Sequence, residues 1–557
     1  MDQLRIHAGD RVAGAPFAGR STVWGGHGAA ATAHPLATLT AVDVLRAGGS
    51  AMDAAVAANA VLGFVEPTSC GIGGDVFALL WDPKASEVVG LNGSGRSPRG
   101  LDLEEHRRRA VDGLIWSRGA VSVSVPGAVE GWGRLHQRFG KLPWKDLFAP
   151  AIAACEEGFP IAQTIASIWR TNVQGLAGDP RVEETENLKR TYAPGGSTPA
   201  EGALFRNPDL GRTYRLIAEG GPEAFYDGEI AGVIEAYFKR VGGWMTREDL
   251  KAHRSDWTTP LRTDYRGVEV YGLAPNTQGL TTLQILNILE RFELGAMGFQ
   301  SAQSLHHQAE AKRLAFEDRA RFFADPDFAE IPIDWLNSKA YAAERAAMIR
   351  PDRLIDDIGP GRAPGQGDTT YLCAADQDGM MVSLIQSNFR GMGSGLVPDG
   401  LGFMFQNRGE LFTLNQGHPN LYAPGKRPFH TIIPGFAVKG GAPWLAFGVM
   451  GGDMQPQGQA QVIVNLVDHG LGLQEAGDSP RWRHEGSSEP TGPMARGQGV
   501  LHLETGVPQT TRAGLAALGW SLGPSDGGFG GYQAVQKTGG VYASASEMRK
   551  DGLALAY

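Results

Sequence analysis

Apolar residues recur along this chain in two rhythms, one helical and one alternating. Pro35 to Ala47 predicts a helix stopped by Gly48-Gly49, and Ser50 caps a second, Ala-rich helix over Ala51–Leu62. Strand patterns follow at Val76–Trp81, Val88–Leu91, Val121–Val125 (closed by Pro126-Gly127) and Val268–Tyr271. Helical spacing covers Ala128–Phe139, Leu142–Phe159, Leu280–Phe292 and a long stretch ending near Phe323. Thr246 and Asp249 have the spacing of a capping box. Between Gln163 and Gly243 short helices alternate with polar loops, and no chemistry is legible there. Thr369 to Cys373 carries the β-branched and aromatic bias of a strand, Asp376-Gln377-Asp378-Gly379 is turn chemistry, and Met380–Gln386 returns, so a β-hairpin is predicted. Beyond it lie an apolar strand at Leu445–Val449, helices over Gly458–Leu471 and Leu473–Ser479, and strands at Tyr532–Lys537 and Gly540–Ser544. No internal repeat is present. Periodicity alone gives an α/β or α+β fold.

Composition narrows the class. Of 557 residues, 42% are hydrophobic and 20% charged, the balance of a globular protein. The formal net charge of −9 argues against a nucleic-acid or membrane-surface partner. Cys70, Cys155 and Cys373 are widely spaced and contain no CxxC, which supports neither a disulfide framework nor a zinc site. MDQLRIHAGDRVAG lacks the apolar core of a signal peptide, and no run approaches the ~18–20 apolar residues of a membrane helix, so a cytoplasmic location is expected.

Three stretches invite chemistry. In Glu66-Pro67-Thr68-Ser69-Cys70-Gly71-Ile72-Gly73-Gly74-Asp75 the glycines suggest a phosphate loop, but the order is helix, loop, strand, the reverse of a dinucleotide fingerprint, and structural glycine is the better reading. His306 and Glu310 are i, i+4 on the long helix and could share a metal, yet HExxH and a third ligand are missing; no metal and no cofactor are expected. The third stretch is a Gly/Pro loop, GPGRAPGQGD, that delivers Thr369 to the start of a strand. Such a loop suits a chain that cleaves itself: the Thr369 hydroxyl attacks the Asp368 carbonyl, water opens the ester, and the new chain begins at Thr369. Its freed α-amine, with a pKa of about 7.7–8.0, is then a base near the operating pH.

TTYLCAADQDG, QSNFRGMGSG, QNRGELF, PGKRPFHTIIP and GVMGGDMQPQG occur in that order. The series resembles the γ-glutamyltranspeptidase family of N-terminal-nucleophile hydrolases, in its acylase-like branch, over nearly the whole chain from His34 to the C-terminus. The resemblance implies a four-layer αββα sandwich built from residues 1–368 and 369–557, two fragments that stay together as an αβ heterodimer, with a dimer of such pairs left open. It implies Thr369 as nucleophile, Thr370 in processing and in holding the new amine, Ser387 as the hydroxyl that orients the nucleophile, and Gly451-Gly452 as the oxyanion diglycine. It also places a substrate-carboxylate arginine at Arg96, with Arg99 three positions on.

Departures from the family pattern carry the specificity. The acidic residue expected to bind a substrate ammonium falls at Leu411, with Glu410 one position early. The serine pair expected at the carboxylate is His430-Thr431; the asparagine after the hairpin is Phe389, with Asn388 adjacent; the Ser-Arg after the diglycine is Asp453-Met454; and the histidine of the TTH motif is Tyr371. An apolar Leu411 leaves a buried ammonium unpaired, which is expensive, while Arg408 adds positive charge. The expected reaction is hydrolysis of a small amide whose acyl group is anionic without an amine, glutaryl-like or oxamate-like. Two alternatives remain: a γ-glutamyl hydrolase or transferase in which Glu410 takes the missing role, and an unprocessed, inactive binding protein on the same fold.

Overall fold

The structure is a computed structural model that describes residues 18–356, 358, 369–492 and 497–557, with the backbone of two short strands at Ile6–His7 and Asp10–Arg11. The expected cleavage loop, residues 359–368 including Asp368, lies outside the described residues.

Two seven-stranded sheets form the centre. The first runs Leu553–Ala556, Ala29–Thr32, Thr370–Ala375, Met381–Ser387, Asp75–Asp82, Glu87–Gly93 and Asp256–Thr258, antiparallel throughout. The second runs Leu261–Tyr265, Val268–Gly272, Gly435–Lys439, Ala442–Val449, Tyr532–Thr538, Val541–Ser546 and Val23–Gly25, also antiparallel. Strands from before and after residue 369 interlace in both sheets, so neither part of the sequence completes either of these two sheets alone.

Alternation along the strands sends successive side chains to opposite faces. Tyr371, Cys373 and Ala375 meet Phe436, Val438, Ala446 and Val535 between the sheets. Leu372 and Ala374 face outward onto the helices Pro35–Arg46 and Ala51–Val65. Behind the second sheet, Phe447 and Val449 pack against the helices Gly279–Leu289, Ala302–Phe322 and Met454–Val467. The layers are therefore helix, sheet, sheet, helix, the expected αββα order.

Local signals explain most boundaries. Ser50 and Asp53 complete a capping box, with Asp53 N–H donating to Ser50 Oγ at 3.1 Å and Ser50 N–H to Asp53 Oδ2 at 2.9 Å. The box at Thr246 and Asp249 is also present. One expected strand does not form: Ala120–Ser122 is a 3₁₀ turn, and Val123–Val125 joins no sheet among the described residues. Pro126 has no N–H to give a neighbour, and Val125 N–H is taken by the Arg96 carbonyl at 2.9 Å. The helix expected from Gly458 begins at Met454, because Pro456 sits in the first turn, where an N–H has no intrahelical partner anyway.

Candidate active site

Register brings the first group together. Thr370 pairs with Gln386 on the adjacent strand, and Ser387 pairs with Asp75 on the next, so three strands end at one edge of the first sheet. Thr369 Oγ1 donates to Ser387 Oγ at 3.3 Å, and Ser387 Oγ also accepts from Phe389 N–H at 2.7 Å. Thr370 Oγ1 donates to Glu66 Oε2 at 2.5 Å; Glu66 ends the fully buried Ala51–Val65 helix and is thereby aimed at the strand start. Thr369, Thr370 and Ser387 are all buried. The glycines of GIGGD are explained by close approach: a Cβ on Gly73 would lie 2.1 Å from the Met404 carbonyl oxygen, and one on Gly74 2.3 Å from that of Ser387.

The loop after the hairpin turns back through left-handed backbone at Phe389 (φ 78°) and Met392 (φ 75°). Asn388 is turned into this loop, its Nδ2 3.4 Å from the carbonyls of Met392 and Met404. The Phe389 ring packs with Leu280, Phe323, Leu411 and Phe429, and the Arg408 guanidinium lies 4.3 Å from its centroid. Arg408 is fully buried. Its Nη1 donates to Thr431 Oγ1 at 2.6 Å, while Nε and Nη2 have no hydrogen-bond partner among the described residues. Burial pulls its pKa down to about 9, which leaves it charged at neutral pH. Leu411 is buried in the apolar cluster, and Glu410 is bound by Arg390.

The other expected carboxylate arginine has a different setting. Arg96 Nη1 donates to Asp325 at 3.1 Å and to the Gly425 carbonyl at 3.2 Å, and its Nη2 reaches Asp327 at 2.6 Å. Its charge is matched by two carboxylates. Arg99 is more exposed, 4.0 Å from Asp249. His430 is engaged by Asp75: its Nε2 is 2.9 Å from Asp75 Oδ2, and both groups are fully buried. Burial pushes Asp75 up to about 7; burial and then the Arg408 charge hold His430 well below its ordinary value.

Gly451 (φ 113°) and Gly452 (φ 56°) turn the chain between the strand Ala442–Val449 and the helix Met454–Val467. A Cβ at Gly451 would lie 3.3 Å from Gly530 Cα. Gln278 bridges this turn to Thr431 and is bound by Arg319. Neither Gln278 nor Arg319 was expected from sequence, nor was Arg390; Gln278 stands in the loop APNTQG, where a glutamine reads as an ordinary polar loop residue. His306 and Glu310 do not pair: Glu310 binds Arg313, and both His306 ring nitrogens are occupied, by Trp520 and by the Arg350 carbonyl. Among the described residues no group of three His, Cys, Asp or Glu side chains could hold a metal ion. No helix among them is long and apolar enough to cross a membrane.

Two antiparallel sheets between helical layers, with a hydroxyl residue opening a central strand, define the N-terminal-nucleophile hydrolase class. The chain belongs to the gamma-glutamyltranspeptidase family, whose profile matches residues 37–557. It is 36% identical over 455 residues to the glutathione hydrolase-like YwrD proenzyme of Bacillus subtilis (strain 168), covering 81% of this chain and 83% of that one. It is 34% identical to the acylase ACY 1 proenzyme of Pseudomonas sp. (strain V22), covering 96% and 94%. The crystal structure of cephalosporin acylase from Bacillus halodurans superposes with a TM-score of 0.89 at 38% identity, covering 97% of each chain. Family and relatives together make this chain a hydrolytic enzyme.

Proposed function

We propose that the chain cleaves itself between Asp368 and Thr369 and then hydrolyses amides of small acyl groups that carry a carboxylate but no α-amine. In processing, the Thr369 hydroxyl adds to the Asp368 carbonyl, the peptide C–N bond breaks to free the Thr369 amine, and water hydrolyses the ester. In turnover, the same hydroxyl passes its proton to that amine and attacks the substrate carbonyl. The oxyanion forms against the Gly451-Gly452 backbone, the leaving amine takes the proton, and water releases the acyl group. Ser387 holds the Thr369 hydroxyl, and the Thr370–Glu66 contact holds the strand start. Interlaced strands keep the two fragments, 1–368 and 369–557, together.

The observation that carries the acyl specificity is Arg408: a buried guanidinium, packed on Phe389, whose Nε and Nη2 have no hydrogen-bond partner among the described residues. A carboxylate satisfies such donors; an ammonium beside Leu411 finds no anion, because Glu410 is already bound by Arg390. The acylase relatives support hydrolysis of amides on this scaffold. The test is a quench of the enzyme during turnover of a glutaryl anilide, followed by mass spectrometry. The reading expects a fragment beginning Thr-Thr-Tyr-Leu with one glutaryl group on Thr369; a different N-terminus, or acylation elsewhere, defeats it.

A further inference from the structure

Two parts of the proposed site lie far apart in sequence: the Arg408–Thr431 wall and the Gly451-Gly452 turn. One side chain touches both. Gln278 Nε2 donates to the Thr431 carbonyl at 2.6 Å and to the Gly452 carbonyl at 3.0 Å, and its Oε1 accepts from Arg319 Nη1 at 2.6 Å. Because arginine only donates, that contact fixes which end of the amide is oxygen, and both amide hydrogens are then committed to the two carbonyls. Arg319 is itself fully buried. Its Nη1 also donates to Asp453 Oδ1 at 2.6 Å, its Nη2 binds Glu489, and its guanidinium stacks 3.9 Å from the Phe316 ring centroid. The backbone around Gln278 is held too: the Asn276 carbonyl accepts from His430 N–H at 2.8 Å, and Asn276 Nδ2 donates to the Pro428 carbonyl at 2.8 Å.

We propose that Gln278, held by Arg319, is a positioning residue that fixes the acyl-binding wall and the oxyanion turn to each other, and so sets both the rate and the acyl selectivity. The inference rests on the reading of Arg408 and of Gly451-Gly452 given above. A glycine pair has wide backbone freedom. Here the Gly452 carbonyl is pinned by Gln278 and the next side chain, Asp453, by Arg319, so the turn is clamped on two consecutive residues. Oxyanion donors act because they are aimed in advance, and small displacements cost rate. The Thr431 carbonyl is pinned by the same amide, and Thr431 Oγ1 holds Arg408 Nη1. A change at Gln278 therefore reaches both parts of the site at once.

The test uses two variants and a control in the processed enzyme, with kcat expressed per titrated acyl-enzyme site. Gln278→Met keeps the volume and removes all three hydrogen bonds. It is expected to lower kcat about tenfold or more and to cut the preference for glutaryl over valeryl anilide about threefold. Arg319→Lys keeps a charge opposite Asp453 and Glu489 but loses the fork that reaches Gln278; the same two changes are expected at smaller size. Gln284→Met, on the helix that starts just after Gln278 and bonded to Asp318, is expected to leave both unchanged. A loss that is only structural lowers the number of titrated sites and moves neither kcat per site nor the preference. Arg319→Lys with kcat within about twofold of wild type overturns the proposal, whether or not Gln278→Met processes. A wild-type enzyme that shows no glutaryl preference counts against the functional reading alone, and the kcat comparison still decides this one.

Discussion

Glu410 is bound by Arg390: Nε lies 2.8 Å and Nη2 2.7 Å from the same carboxylate oxygen, and the glutamate is buried. The one acid next to the apolar Leu411 is thus already neutralised. Arg390→Gln removes that partner and leaves a buried carboxylate seeking a cation. The expected outcome is a rise of about tenfold in kcat/KM for a γ-glutamyl anilide relative to a glutaryl anilide, the size of one charge-assisted hydrogen bond. Unchanged relative rates would mean that Glu410 does not face the acyl group.

Thr369→Ala removes the hydroxyl that processing and turnover share. The 59.3 kDa chain is expected to remain whole on a denaturing gel and to be inactive. Thr369→Ser retains a hydroxyl and is expected to give the same two fragments more slowly. Normal cleavage in the alanine variant would move the nucleophile elsewhere.

Gly451 holds φ 113°, a left-handed value that costs a side-chain-bearing residue on the order of 1–3 kcal/mol. Gly451→Ala also sets a methyl 3.3 Å from Gly530 Cα, so the turn has to shift. Fragments are expected to form and assemble while kcat falls about tenfold or more. Steady-state kinetics on the cleaved, assembled variant check this.

Lys312 is buried with its Nζ 2.9 Å from Ser487 Oγ and 3.1 Å from His484 Nδ1, and burial pulls its pKa from 10.5 to about 7. Between those values the unfolded chain binds the extra proton, so this group makes stability rise with pH; the penalty is full below about 7 and gone above 10.5. Lys312→Met abolishes it. Both chains are compared in the uncleaved Thr369→Ala background. The stability of the lysine-bearing chain, measured relative to the Lys312→Met variant, is expected to grow by about 1.4 kcal/mol per pH unit over roughly pH 8 to 9.5. Urea unfolding across that range measures it, and a flat difference would show that the amine is charged in the folded protein.

Much of this was legible because it is local. The hairpin through Thr369, the cap at Ser50 and the strand before Gly451 depend on neighbours in sequence, and the chain shows them within about three residues of expectation. Val121–Val125 departs from expectation because β-branched residues mark an extended backbone without saying whether a partner strand is present. The motif series located the start of the hairpin and the glycine turn. It could not show that Arg96 is matched by Asp325 and Asp327, or that His430 belongs to Asp75, since those partners are more than 200 residues away. Gln278 was invisible for the same reason: its meaning lies in two carbonyls and a guanidinium supplied by other elements.

Leu411 and the partnerless edge of Arg408 lead to the most direct test of the account. Purified, processed enzyme is given glutaryl anilide and γ-glutamyl anilide, which share the scissile bond and the terminal carboxylate and differ by one α-ammonium. The account predicts a kcat/KM for the glutaryl compound higher by about ten- to a hundredfold, the range set by roughly 1.5–3 kcal/mol for a charged group left without its partner. Leu411→Asp is expected to narrow that gap or reverse it. A wild-type enzyme that prefers the γ-glutamyl compound by tenfold or more would contradict the account and make this chain a γ-glutamyl enzyme.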